Sequence, residues 1–501
     1  MSAGSKLEGT IPIRFELPKD AARFTVVIEG EKGNRVRNLA GDLDPADYTV
    51  SENGNARTVE VKWDGLTDKV WSGNHREGYK GAGQLVSKSK YKVRGLYHNG
   101  LGAEYEMCFY NPGTPPWSTS RGNGGWGGDH SPPADIARSG DWMILSWPVV
   151  EGGTGIIGIG PDGKKKWGEK RGAPRITANE KYVYAMAGHT FHSKGHNYLI
   201  RLNKKTGAYM PFVQDGKKLP FDLDPAKLLP EGFEGEVNDI AATDKVIALA
   251  LSTNQIAVLD AESAERKTII KVDTPKRLTF GKHAFLFALS KGKVVTVDIK
   301  SGKVSSPPIH GIGEAVDIAV DADGNLLVAD NGNKQVTAFP TQSEEGSIYS
   351  CGKKGGRPIR GKFDKQAIVA IKNVDCDAQG NVWVVEDSNL PRRVSLWGKD
   401  GKLVRDYIGN TGYSDTSTYL HDSDSTLGYY GPVEMKLDKE KRSYEVTQIL
   451  WVPDPDVPGE QFRIDHGSHI QPTRFTSSVS GQAREYLHSP QGWQAIYMPI
   501  D

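Results

Sequence analysis

The chain has 501 residues, with 63 lysines and arginines against 62 aspartates and glutamates, for a net charge of +1. With both signs interspersed, it offers no electrostatic footprint for a nucleic acid or an anionic membrane. No apolar run approaches the roughly 18 residues of a membrane span. Cys108, Cys351 and Cys376 lack the CxxC or CxxCH spacing of a zinc ribbon or haem attachment, and leave room for one disulfide.

The 58 glycines and 28 prolines, with few long helical patterns, favour an all-β protein rich in turns. The opening MSAGSKLEG has no apolar h-region. The working expectation is an extracellular or periplasmic protein whose signal is not in this chain.

Residues 11–98 read as a separate β module. An alternating strand (Ile13, Phe15, Leu17) breaks at Pro18, and a second runs from Phe24 to Ile28 towards a turn at Gly33-Asn34. Val59 to Leu66 (VEVKWDGL) and Tyr91 to Tyr97 (YKVRGLY) follow. The early strand pair, Trp63-Asp64-Gly65 and Tyr91-Lys92-Val93-Arg94 resemble the Ig-like module of the flagellar hook-capping family. Lys69 to Lys90 is an insertion relative to it. The resemblance implies a β-sandwich that serves as a structural attachment. Residues 99–133 form a Gly/Pro/Trp-rich connection, read as a packed loop because it holds Trp117 and Trp126.

From residue 134 to 501 a strand–turn–strand pattern recurs. It starts at Ala134, Arg175, Asp239, Arg277, Asp317 and Asp375, and a seventh, degraded copy spans Glu434 to Trp451. The spacing of roughly 40 to 60 residues is that of propeller blades with loop insertions. Asp321-Ala322-Asp323-Gly324-Asn325 and Asp377-Ala378-Gln379-Gly380-Asn381 are hairpin turns between alternating apolar runs. The first is not a calcium loop, because the position that would carry the bidentate Glu is Gly332. The fifth and sixth units resemble NHL-type repeats, which implies a β-propeller. Seven blades are expected, with six or eight as alternatives, closed by the residues after Phe462.

In a blade the turn between the first two strands lies on one rim. The loops joining the second strand to the third, and one blade to the next, lie on the other. The turns are short and regular, so chemistry is expected on the opposite face. There His189, His192 and His196 fall within eight residues, and Asp129-His130 arrives from the neighbouring unit. Glu234, Glu236, Asn254, Glu314, Asp330, Asn331, Glu386, Asp387 and Asn389 map to the same side, with Arg175 and Lys276 as cations. Histidine can bind metal, act as a base or hydrogen-bond a hydroxylated ligand. The HxxHxxxH spacing is a weak metal signal on a loop, so a divalent cation on His189, His192 and His196 is one expectation.

Three functions compete. Some propeller polysaccharide lyases abstract a proton beside a uronate carboxylate. Here His130, His189, His192 or His196 would be the base, Tyr184 or Tyr105 the acid, Arg175 the carboxylate partner, and Trp117 and Trp126 sugar-stacking residues. A non-catalytic scaffold would hold glycan or another extracellular protein through the loop face. A gluconolactonase-type hydrolase would gather Glu236, Asn331 and Asp387 round a metal. The expectation adopted is a carbohydrate-active propeller with a polysaccharide or glycan partner, no nucleic acid and no membrane span.

Overall fold

The computed structural model describes residues 10–68, 70–71, 79–80, 83–100, 127–128, 130–150, 153–188, 197–229, 233–281, 285–341, 346–409, 418–421, 424–430, 433–450, 476–479, 482–487 and 494–499. The chain divides into two compact units, one built on Met1–Glu104 and the other on Tyr105–Val479. No helix among the described residues is long and apolar enough to cross a membrane.

The first unit holds two antiparallel three-stranded sheets. Ile11–Pro18, Ala56–Trp63 and Thr49–Asn53 make one, with Ala56–Trp63 central. Arg35–Leu43, Arg23–Gly30 and Tyr91–His98 make the other, with Arg23–Gly30 central. Alternate residues of both sheets (Ile13, Leu17, Phe24, Val26, Ile28, Val59, Val61) meet in a single core. The Trp63-Asp64-Gly65 turn is tied twice. The Trp63 indole donates to the Leu66 carbonyl at 2.9 Å, and the Asp64 carboxylate accepts from the Leu66 N–H at 3.0 Å.

The second unit is a β-propeller. Among the described residues, six antiparallel sheets follow in chain order, with innermost strands Asp135–Ser139, Arg175–Ala178, Val237–Ala242, Pro275–Phe280, Ala315–Val320 and Ile371–Cys376. Second strands are almost wholly apolar and buried, as in VIALAL (Val246–Leu251), because each sheet packs between two others. The hairpin turns form as the sequence indicates. Asp321 accepts from the Asp323 and Asn325 backbone N–H groups, and Asp377 repeats this with Gln379 and Asn381. Gly324 and Gly380 supply the positive φ that closes each turn.

Among the described residues, six of the sheets meet around the axis. The sixth sheet joins the first directly, since the Asn373 side chain accepts from the Ile136 N–H at 3.1 Å and Asp375 accepts from the Arg138 N–H at 2.6 Å. The supposed seventh unit, Val433–Asp438 and Ser443–Ile449, belongs to a separate five-stranded sheet with Gly361–Lys362, Leu427–Tyr430 and Thr418–Leu420. A strand–turn–strand pattern alone does not make a blade. The innermost strand must also offer a side chain to the joint, and Val433–Asp438 has no counterpart of Asn373. The C-terminal strands Thr476–Val479, Gln482–Leu487 and Gln494–Pro499 pair with one another and add none to the ring.

Candidate functional site

Six structurally equivalent positions, one per innermost strand, encircle the propeller axis: Asp135, Arg175, Asp239, Arg277, Asp317 and Asn373. Each reaches the backbone of the next blade. Asp135, Asp239 and Asp317 accept from the N–H groups of Ile176, Leu278 and Val374 at 2.9, 2.7 and 2.8 Å. Arg175 and Arg277 donate through Nε to the carbonyls of Asn238 and Val316 at 2.7 and 3.2 Å. Asn373 closes the circuit on Ile136. Neighbouring charges also pair: Arg277 lies 3.3 Å from Asp317 and 3.9 Å from Asp239, and Arg175 lies 3.7 Å from Asp239.

Burial and mutual repulsion push these carboxyls up despite the two arginines. Burial is the largest cause throughout. Asp135 rises to about 7 and Asp317 to about 8, each also raised by fellow ring carboxylates, while Asp239 is raised as well. Asp375, two residues along from Asn373, rises to about 6 through burial. A cavity of about 290 Å³ runs from the ring towards the hairpin turns, ending near Gly281 and Ala322. The turn side of the propeller therefore holds more than turn chemistry. The ring side chains are committed to the joints between blades, which makes the ring a clasp.

A second cavity, of about 600 Å³, lies on the loop-bearing face between the second and third blades. Arg175, Asn197, Phe233, Glu234, Glu236 and Asn238 are among the residues lining it. Arg175 is fixed from behind, because Nε bonds the Asn238 carbonyl and a terminal nitrogen bonds the Pro174 carbonyl at 2.9 Å. Glu234 and Glu236 are exposed. The backbone of Glu236 is pinned by Ser252, whose hydroxyl accepts from the Glu236 N–H at 2.8 Å.

Among the sequence candidates, this cavity joins Arg175 to Glu236. His189, His192, His196, Trp117, Trp126, Asp129 and Tyr105 lie outside the described residues. Asn197, which follows the histidine loop directly, does line the cavity. His130 is half-buried in the loop before the first blade. Tyr184 is not on the face. It is fully buried between blades, with its hydroxyl bonded by the Asn179 amide at 3.1 Å and donating to the Ala261 carbonyl at 3.2 Å. Burial holds its pKa well above the tyrosine range, so it is no proton donor to a ligand.

Of the expected set of Glu236, Asn331 and Asp387, the last two are engaged with other groups. Asn331 spends both side-chain atoms on the backbone of Ile371 (2.6 and 2.9 Å), and Asp387 pairs with Lys372 at 3.1 Å. Glu386, at the end of a second strand, is buried between Arg357 and Arg393, each 2.9 Å away. Asp330 caps the backbone of Gly313, Glu314 and Gly332. Lys276 is exposed, and its neighbour Arg277 turns to the axis, as strand alternation requires. Cys351 and Cys376 are both free, buried thiols. Among the described residues no group of three or more His, Cys, Asp or Glu could hold a metal ion.

A family profile for the NHL repeat matches residues 313–339, the first three strands of the fifth blade. Of the solved structures, the crystal structure of a nidogen/laminin complex is similar at 11% identity, over 54% of this chain and 91% of that one, with a TM-score of 0.34. No curated protein matches the chain.

The ring was the element that sequence reasoning missed. Its signal is a single column, the polar residue immediately before an Ile, Leu or Val of each innermost strand: Asp135-Ile136, Arg175-Ile176, Asp239-Ile240, Arg277-Leu278, Asp317-Ile318 and Asn373-Val374.

Proposed function

We propose that this chain is an extracellular or periplasmic glycan-binding propeller, with the N-terminal unit an Ig-like attachment module. The observation that carries the reading is the loop-face cavity of about 600 Å³, within the roughly 300–1,000 Å³ usual for small-ligand sites. An arginine fixed by backbone bonds, two exposed carboxylates and the amides of Asn197 and Asn238 give it donors and acceptors suited to sugar hydroxyls. Phe233 adds an apolar wall. We favour binding over catalysis because, of the two expected acids, Tyr184 is sealed in the core and Tyr105 lies outside the described residues. A divalent ion on His189, His192 and His196 belongs to the same proposal, and elemental analysis of the purified protein tests it.

The experiment is titration calorimetry of the full chain against a panel of neutral and acidic oligosaccharides, with absorbance followed for unsaturated product. At least one oligosaccharide binds, no unsaturated product accumulates, and Glu234→Gln with Glu236→Gln weakens binding about tenfold. Absence of binding across the panel, or full affinity in the double variant, defeats the reading. Accumulating unsaturated product restores the lyase.

A further inference from the structure

The second blade differs from the others at its outer edge. Among the described residues its sheet has three strands, Arg175–Ala178, Tyr182–Ala187 and Tyr198–Asn203, where the other five blades have four. Two separate bridges stand in for the fourth strand, Leu202 with Tyr209 and Leu199 with Leu223. The chain between them leaves the sheet and returns with Phe221 beside Tyr209, the ring centres 5.7 Å apart and the planes inclined at 56°. Leu219, Phe221 and Leu223 alternate, so strand periodicity would bury all three. Leu223 is buried and Leu219 packs with it against the core of the second and third blades. Phe221 does not follow them and is 50% exposed.

Fixed polar groups border this ring. Asp222 accepts from both terminal nitrogens of Arg171, each side chain being 21% exposed, and the Arg171 guanidinium lies 5.3 Å from the Tyr209 ring centre. The carboxylate and the guanidinium thus hold each other, and Tyr209, in one arrangement. An aromatic ring edged by a fixed acceptor–donor pair suits a pyranose, whose C–H face packs on the ring while its hydroxyls meet the polar border. The patch also adjoins the loop-face cavity. Arg171 stands three residues before Pro174, and Asp222 three before Pro225, and both prolines line that cavity. Three residues reach at most about 10 Å, within the span of a short oligosaccharide.

We propose that Phe221, Tyr209, Arg171 and Asp222 form a second sugar subsite, on which one pyranose unit of a glycan chain stacks while another occupies the cavity. The ligand is then an oligosaccharide and not a single sugar. This rests on the loop-face reading above. The test is titration calorimetry of the full chain against cello- and galacturonate oligosaccharides, from disaccharide to hexasaccharide. Affinity in at least one series rises with length. Phe221→Ala weakens hexasaccharide binding about tenfold at an unchanged melting temperature, leaves the disaccharide as in the wild type, and Phe221→Tyr restores the loss. Affinity independent of length, or wild-type hexasaccharide affinity in Phe221→Ala, overturns the subsite and leaves the loop-face cavity standing. An equal loss for the disaccharide also overturns it, since Phe221 would then act on the cavity itself. Absence of binding in both series defeats the loop-face reading and the subsite with it.

Discussion

Two buried charge clusters in the propeller solve the same physical problem differently. Around the axis, each charged side chain bonds one backbone group of the next blade, and Arg175 and Arg277 also lie beside Asp239 and Asp317. Around Glu386 the charges are compact: one carboxylate serves Arg357 and Arg393, with side chains 1% and 0% exposed, and Asp406 sits 3.4 Å from the Arg393 Nε. The axial ring spreads its charge over six joints, so each member is partly replaceable, and Asn373 already does its work without a charge. The Glu386 cluster concentrates it on one side chain that holds the segment around Arg357 to the sixth blade.

That difference is broken most severely at Glu386. Glu386→Ala leaves two buried guanidiniums without their shared partner and costs about 3–5 kcal/mol, read as a lowered denaturant midpoint. In the ring, Asp239→Asn keeps an oxygen for the Leu278 N–H and gives up only its attraction to Arg175 and Arg277. The expected cost is smaller, about 1–2 kcal/mol, and a loss as large as that of Glu386→Ala would erase the distinction.

The smallest effect is the dependence on pH, and its sign separates the ring from the protein surface. Asp135, Asp317 and Asp375, raised to about 7, 8 and 6, keep protons in the folded chain that the unfolded chain releases near pH 4. Their contribution is therefore present at low pH and lost as pH climbs through this window. Surface carboxylates act the opposite way. Asp260, held at about 2 chiefly by its bond to Lys267 against the penalty of burial, contributes above pH 4 and loses that contribution in acid. The unfolding midpoint is thus higher at about pH 5.5 than at about pH 8.5, and Asp317→Asn flattens the slope. A midpoint that rises over that interval would place the ring carboxylates among ordinary ionised groups.

The hairpins were legible because alternation at period two is a local signal. Val316, Ile318 and Val320 on one side of the turn and Leu326 and Val328 on the other define both strands and the buried face. The blade count was not legible, since Glu434 to Trp451 carries the same local pattern and only ring closure, a contact between residues 136 and 373, excludes it. Candidate site residues fared according to how far their side chains could be oriented from sequence. Arg175 and Glu236 flank loop ends and do meet. Tyr184 lies within a strand, and its direction depends on which neighbouring blade it packs against. Asn331 and Glu386 looked like free polar groups, yet their partners, Ile371, Arg357 and Arg393, come from other segments of the chain.

Asn373 carries a consequence for how the propeller counts its own blades. Asp, Arg, Asp, Arg, Asp and a neutral amide alternate around the axis only because the number of positions is even and the last is uncharged. Omitting the blade of Arg175, Asp239, Arg277 or Asn373 would set two carboxyls or two guanidiniums side by side at the axis. A ring short of one of these blades is thereby penalised at the axis itself.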